Sequence, residues 1–196
     1  MPYNRETALE AAMTLFWKKG YHATSLKDLE AALNMKPGSI YAAFSSKEGL
    51  FLEALARYYE TSRGAFVAEM AKAGSPLEGV ARHIRSYADI PTDHPRAQAC
   101  MLLKTLVDTR ATEPAIAEKS REYLSGMRDA MTEVFERAIA AGELPEDTDP
   151  QRLARRLQAC IMALRFELHQ GTRQADLSAL AEDMAREFER LRKVSA

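Results

Sequence analysis

The sequence predicts an all-α chain of about nine helices, with a three-helix helix-turn-helix at the N-terminus and a larger C-terminal helical region. Three observations carry this. Apolar residues recur at i, i+3, i+4 and i+7 through nearly every segment, and no segment alternates as a half-buried strand does. Proline, glycine and capping residues stand where helices should start and stop. One stretch, LNMKPGSIYAAFSSKEGL at residues 33–50, leaves a helix, builds barely two turns and breaks again. So short a helix cannot exist for its own stability; it is held by its neighbours and presented to something.

Each element has its reason. Leu9, Ala12, Met13 and Phe16 make one apolar stripe over about 5–19, and Gly20 ends that helix. Thr24 or Ser25 caps a second, short helix, with Asp28 in its first turn. Leu26, Leu29 and Leu33 form its inner side. Asn34 suits the turn, since asparagine tolerates the left-handed conformation. Pro37 fits the first position of a third helix, and Ile40 and Phe44 turn it inward. Ser45 or Ser46 caps a long fourth helix over about 46–72. Ser75-Pro76-Leu77-Glu78 opens a fifth, over about 75–88. Pro91 and Pro95 bracket a loop before a sixth helix at about 97–110. The seventh runs from Glu113-Pro114 to about Ala141, the eighth from Asp149-Pro150 to Gly171, and the ninth from near Asp176 almost to the end. The functional boundary falls near residue 48, giving regions 1–48 and 49–196 that share the fourth helix.

Composition narrows the function. The 196 residues are 46% hydrophobic and carry a formal net charge of -1, so any nucleic-acid contact must use a local patch. No apolar run is long enough for a membrane, and MPYNRETALEAAM lacks the features of a signal peptide. Cys100 and Cys160 have no C-x-x-C spacing, which argues against a disulfide framework and fits a reducing cytoplasm. Four scattered histidines have no metal-ligand spacing, and no nucleophile elbow, zincin or phosphate-loop motif occurs. No cofactor is expected, and an enzyme is a distant alternative.

A third helix packed by one face, after a tight turn, is the arrangement that enters a DNA major groove. Ser39 and Tyr41 supply hydroxyls for phosphate or base acceptors. Lys47 starts the fourth helix, where backbone N–H groups and its charge can share one phosphate. Pro37 and Gly38 let the backbone approach, and Ala42 and Ala43 offer methyl groups for thymine. Lys27, Lys36 and Ser25 are further phosphate candidates.

Residues 9–51, LEAAMTLFWKKGYHATSLKDLEAALNMKPGSIYAAFSSKEGLF, resemble the DNA-binding domain of the TetR/AcrR family of transcriptional regulators. Gly20-Tyr21, Thr24-Ser25, Tyr41, Phe44 and Lys47 stand at the family's spacing. Asn34 replaces a usual glycine and Lys36 a usual capping hydroxyl. The resemblance implies a homodimer on a palindromic double-stranded DNA operator, released by a small organic ligand bound among the C-terminal helices. A repressor is the default, since occluding a promoter needs only DNA binding.

In that light Leu153, Leu157, Ile161, Leu164 and Leu168 on the eighth helix, and Leu177, Leu180, Met184 and Phe188 on the ninth, are candidates for pairing with a twin, although one stripe per helix is also what plain core looks like. Glu182 with Arg186, and Glu189 with Lys193, would mark a solvated face. Candidates for a ligand pocket are Phe66, Met70, Tyr87, Met101, Tyr123, Met127, Met131 and Phe166, with Lys104, His169, His83, Asp108 and Arg165 as polar groups. Cys100 joins them: a helix N-terminus and Arg96 would favour its thiolate, giving an alternative in which the same fold senses electrophiles or oxidants.

Overall fold

A computed structural model of the chain describes residues 4–91, 94 and 97–193. Nine α-helices and no strand occur among them: α1 Arg5–Lys19, α2 Leu26–Leu33, α3 Pro37–Phe44, α4 Lys47–Ala71, α5 Pro76–Ser86, α6 Met101–Thr109, α7 Pro114–Ala140, α8 Pro150–Gln170 and α9 Gln174–Glu189. No helix among the described residues is long and apolar enough to cross a membrane.

Most ends follow the expected chemistry. Asn4 Oδ1 accepts from the first-turn N–H groups of α1, and Gly20 ends it with φ 86°. Asn34 ends α2 in the left-handed region. Ser46 Oγ accepts from the Gly49 N–H at the start of α4. Pro stands in the first turn of α3, α5 and α8.

Three boundaries differ from expectation. The fifth helix closes at Ser86 and tightens into a 3-10 turn over Tyr87–Asp89. The sixth begins at Met101 rather than near residue 97, because Ala97 donates to the His94 carbonyl in a turn (2.8 Å) and buries its side chain. The ninth begins at Gln174, with Asp176 in its first turn paired to Arg173 at 2.8 Å.

The chain forms two compact units. The first is Met1–Ser62 with Cys100–Leu124; the second is Arg63–Ala99 with Ser125–Ala196. The expected boundary at residue 48 lies inside the first unit, since α4 runs unbroken through it. In the first unit Phe16, Leu29, Ile40, Phe44 and Phe51 are buried, and the Phe16 and Phe51 rings meet edge to face at 4.8 Å. In the second, α5 and α9 pack together over a core reaching from Phe66 to Phe188. Arg85 of α5 clasps α9 across this seam, reaching Glu182 and Glu189 at 2.6 Å each. Glu182 also takes its expected partner Arg186 (2.7 Å), but the expected Glu189–Lys193 pairing is replaced by Arg85, because the planar guanidinium can span both carboxylates.

Candidate nucleic-acid interface

The first unit builds a small exposed helix on a rigid support. Thr24 is fully buried and its Oγ1 donates to the Gly20 carbonyl at 2.7 Å, so Ser25 is the cap of α2. The Asp28 N–H donates to Ser25 Oγ (3.2 Å), and the Ser25 N–H donates to Asp28 Oδ2 (2.8 Å). Lys19 reaches the same carboxylate at 2.7 Å. Its hydrogen bond, then those of Ser25, hold the Asp28 carboxyl well below the usual carboxylate range. The start of α2 is thereby tied to the end of α1.

Lys36 is the cap of α3, with no side-chain cap bond; its ammonium is exposed and available to a phosphate. Ile40 and Phe44 bury the inner face of α3 completely or nearly so. Pro37, Gly38, Ser39, Tyr41 and Ala42 stand exposed on its other sides, while Ala43 is half-buried. Tyr41 is 42% exposed. Ser25 and Lys27 are also exposed at the start of α2.

Lys47 is half-buried, with its Nζ 4.5 Å from the centre of the Tyr21 ring. Burial pushes its pKa down, and Glu113 partly offsets that. The Tyr21 ring in turn packs edge to face on Phe51 at 5.0 Å. The Gly20-Tyr21 pair therefore has a mechanical role: glycine turns the chain, and tyrosine braces the lysine at the start of α4. Arg5 braces the other side, lying 4.9 Å over the Phe44 ring and bonded to Glu53 at 2.6 Å.

Sequence reasoning missed what α6 does. Lys104, a pocket candidate, donates to the carbonyls of Trp17 (3.2 Å) and Lys18 (3.0 Å) at the end of α1. There it satisfies orphan carbonyls and meets the negative end of the helix dipole. His22 bonds Thr112 at 2.9 Å in the same region. No local pattern announces either contact, because the partners lie about 90 residues apart in the chain.

The structure divides the pocket candidates. Cys100, Met101, Lys104 and Tyr123 belong to the first unit, and Phe66, Met70, Tyr87, Met127, Met131, Phe166 and His169 to the second. Met101 is buried, and Tyr123 stacks on Tyr59 at 4.5 Å. Phe66, Met70, Tyr87 and Met131 are core, and Met127 packs against that core. Phe166 is 59% exposed and His169 is exposed, so neither points inward as a pocket residue would. A groove of about 490 Å³ in the second unit, between α4 and α7, has Phe66 alone of these in its lining, with Val67, Val134, Glu133 and Arg137. Beside Phe66 the Nδ1 of buried His83 lies 2.7 Å from Glu69, and Arg165 lies 5.7 Å over the Tyr87 ring. Cys100 is a half-buried free thiol at the cap of α6; Arg96 lies outside the described residues.

The pairing candidates also divide. Leu153, Leu157, Ile161, Leu164, Leu168, Leu177 and Phe188 are buried in the chain's own core, since that side of α8 and α9 faces α5 and α7 residues of the same unit. Leu180 and Met184, together with Cys160, are partly exposed at its margin.

Residues 8–54 match the family model for bacterial regulatory proteins of the tetR family, and residues 76–190 match that for the tetracyclin repressor-like C-terminal domain. The chain is 27% identical over 180 residues to the HTH-type transcriptional repressor ComR of Escherichia coli (strain K12), covering 91% of this chain and 86% of ComR. It is 29% identical over 165 residues to the HTH-type transcriptional regulator YezE of Bacillus subtilis (strain 168), covering 84% and 85% of the two chains. Among solved structures it superposes with a TM-score of 0.86 on the TetR family regulator CifR, a cysteine mutant in complex with 26-bp operator DNA. That match is 30% identical and covers 95% of this chain and 97% of CifR. Both halves of the chain thus carry one family's signature: it belongs to the tetR family of bacterial DNA-binding transcriptional regulators.

Proposed function

We propose that the chain is a homodimeric repressor that binds a palindromic operator through α3 and the start of α4, and leaves it when a small organic molecule binds the C-terminal helices. The single observation behind the operator reading is the outer face of α3. Its two inward residues are fully used by the core, while Lys36, Ser39 and Tyr41 stand exposed beside the braced Lys47. Ser39 and Tyr41 hydroxyls and the Lys36 and Lys47 ammonium groups contact phosphates; Gly38, Ala42 and Ala43 face the bases. Ser25 and Lys27 hold the flanking phosphates. The naming of ComR as a repressor and the operator complex of CifR support the same reading.

One such module makes few contacts, and two linked modules multiply affinity through effective concentration. The partly exposed Leu180 and Met184, with Cys160, Met162 and the exposed Phe166, are the larger apolar side chains on α8 and α9 offered to a twin. Leu180→Glu with Met184→Glu yields a monomer by analytical ultracentrifugation and loses operator affinity; a dimer that survives the pair removes this face from the proposal. For the operator itself, purified protein is incubated with fragmented genomic DNA at near-physiological salt and the retained DNA is sequenced. One short palindrome is expected, and retention without any shared sequence counts against the reading.

A second reading uses Cys100, whose free thiol sits at the cap of α6. There an electrophile or oxidant, rather than a non-covalent ligand, releases the DNA. Cys100→Ser then stays on DNA in the presence of diamide or N-ethylmaleimide, whereas equal release of both proteins removes this reading.

A further inference from the structure

We propose that Glu113, at the start of α7, is an internal competitor of DNA for Lys47, a carboxylate that opposes a phosphate at that lysine and holds operator affinity below what the face could otherwise give. This role rests on the operator reading above and falls to a residue outside α3 and the start of α4.

The connection between α6 and α7 is docked on the turn that follows α1. His22 Nε2 lies 2.9 Å from Thr112 Oγ1. The Glu113 N–H donates to the Thr109 carbonyl (2.8 Å), and the Glu113 carbonyl accepts from the Ala117 N–H (3.0 Å). The backbone of Glu113 is thus fixed on both sides, next to the residue that meets His22. The His22 ring packs edge to face on Tyr21 at 5.3 Å. Lys47 Nζ in turn lies 4.5 Å from the centre of the Tyr21 ring. Three successive contacts therefore lead from Thr112 to the ammonium group, all within the first compact unit.

Both members of the Lys47–Tyr21 contact register the Glu113 charge. Burial pushes the Tyr21 hydroxyl up, and Glu113 and then Glu48 push it further. Burial pushes Lys47 down, and Glu113 opposes that. A carboxylate that resists a phenolate on one side and favours an ammonium on the other lies close to both. Glu113 is half-buried, so water and salt screen it less than a surface charge. Among the described residues it makes no ion pair within 4.0 Å, so no partner of its own cancels its charge.

Such a charge can do one of two things. It can keep Lys47 protonated, or it can repel a phosphate. Lysine titrates at about pH 10.4 in water, so the first is not needed at neutral pH. The second remains. A phosphate brought to Lys47 meets another negative charge beside the ammonium it needs. A lysine–phosphate contact carries no sequence information. Glu113 therefore lowers affinity for every duplex alike and eases release without changing which sequence is read.

The test uses the intact chain and the duplex it enriches most from a random-sequence library. Glu113→Gln keeps the size of the side chain and removes its charge, and Glu113→Ala removes the charge in a second way. Both are expected to bind that duplex about 3–10-fold more tightly than the parent, with Tm changed by no more than about 2 °C. Their affinity should also fall more steeply with salt, by up to about one in the logarithmic slope. Glu113→Asp, which keeps the charge, should stay within about twofold of the parent. In a Lys47→Ala background Glu113→Gln should gain nothing, because the charge acts through that lysine. Glu118→Gln, further along α7 and paired with Arg121 at 2.7 Å, makes the same change in net charge and should leave affinity at the parent value. Unchanged or weaker binding in both charge removals overturns the competition and leaves the operator reading standing. A gain that survives Lys47→Ala, or an equal gain in Glu118→Gln, also overturns it, since net charge alone would then account for the effect. Failure to enrich any duplex removes the operator reading and the competition together.

Discussion

In α3 the residues assigned to a partner stand outside the core; in α8 and α9 most of those assigned to a partner are the core. The difference is one of composition. On α3 two large apolar residues suffice to dock the helix, so every other position but the half-buried Ala43 is surplus to packing and reads as presented. On α8 the apolar positions extend around the helix, and a leucine that meets its own chain looks the same in sequence as one that meets a twin. Exposure separates the two cases, and substitutions at matched positions can break or sharpen the contrast.

The largest effect is expected at Phe188. It is fully buried, stacks on Phe135 at 5.9 Å and lies under Arg156 at 5.2 Å. Phe188→Ala should cost about 3–5 kcal/mol of stability, as loss of a buried aromatic ring does, and lower Tm by roughly 6–20 °C at the slope typical of this chain length. The oligomeric state at low temperature stays that of the parent. A stable protein that merely dissociates would return Phe188 to the interface and erase the contrast.

The next effect belongs to α3. Tyr41→Ala with Lys47→Ala should lower operator affinity roughly 100-fold, about 2.7 kcal/mol. The salt dependence of binding should flatten by about one for each lysine–phosphate contact removed. Stability should change little, since the Lys47–Tyr21 contact is exposed enough to contribute only about 0.5–1 kcal/mol. Unchanged affinity at normal Tm would mean that Tyr41 is exposed for some other partner.

What was legible in the sequence follows the same division. The nine helices of the described residues, most caps, the left-handed Asn34 and the inward pair Ile40 and Phe44 were readable, because each is decided within one or two turns of chain. The late start of α6 was not, since Ala97 is drawn into a turn by the burial of its side chain against distant residues. Lys104 was misread for a related reason: a lysine in an apolar stretch suggests a ligand, but its partners are carbonyls in α1. Glu189 was read as pairing locally with Lys193, whereas Arg85 reaches it from α5. Contacts between remote segments leave no periodic trace.

Arg85 gives a pH-dependent effect confined to the second unit. Its hydrogen bonds, followed by those of Arg186, lower the Glu182 carboxyl from 4.5 to about 2, and Glu189 is lowered by the same guanidinium. Carboxyls whose folded values are depressed favour the folded state at neutral pH, and that advantage is lost as pH falls through the ordinary range toward 2. Arg85→Ala should therefore melt a few degrees lower than the parent at pH 7, and the two curves should approach each other below pH 4.5 and converge below about pH 2. Parallel curves across the whole range would mean that Arg85 acts by packing alone.

The smallest effect is expected at Gly64. Gly64 lies inside α4, exposed, with no positive φ and nothing within 4 Å of a built Cβ. It stands in the second unit, in the 25-residue α4, where no contact calls for the lack of a side chain. Gly64→Ala should raise stability by about 0.5–1 kcal/mol, since alanine is the better helix former, and raise Tm by roughly 2–3 °C. Operator affinity should stay at the parent value. A loss of affinity in Gly64→Ala would mean that operator binding responds to the stiffness of α4 and not only to the side chains of α3 and the start of α4.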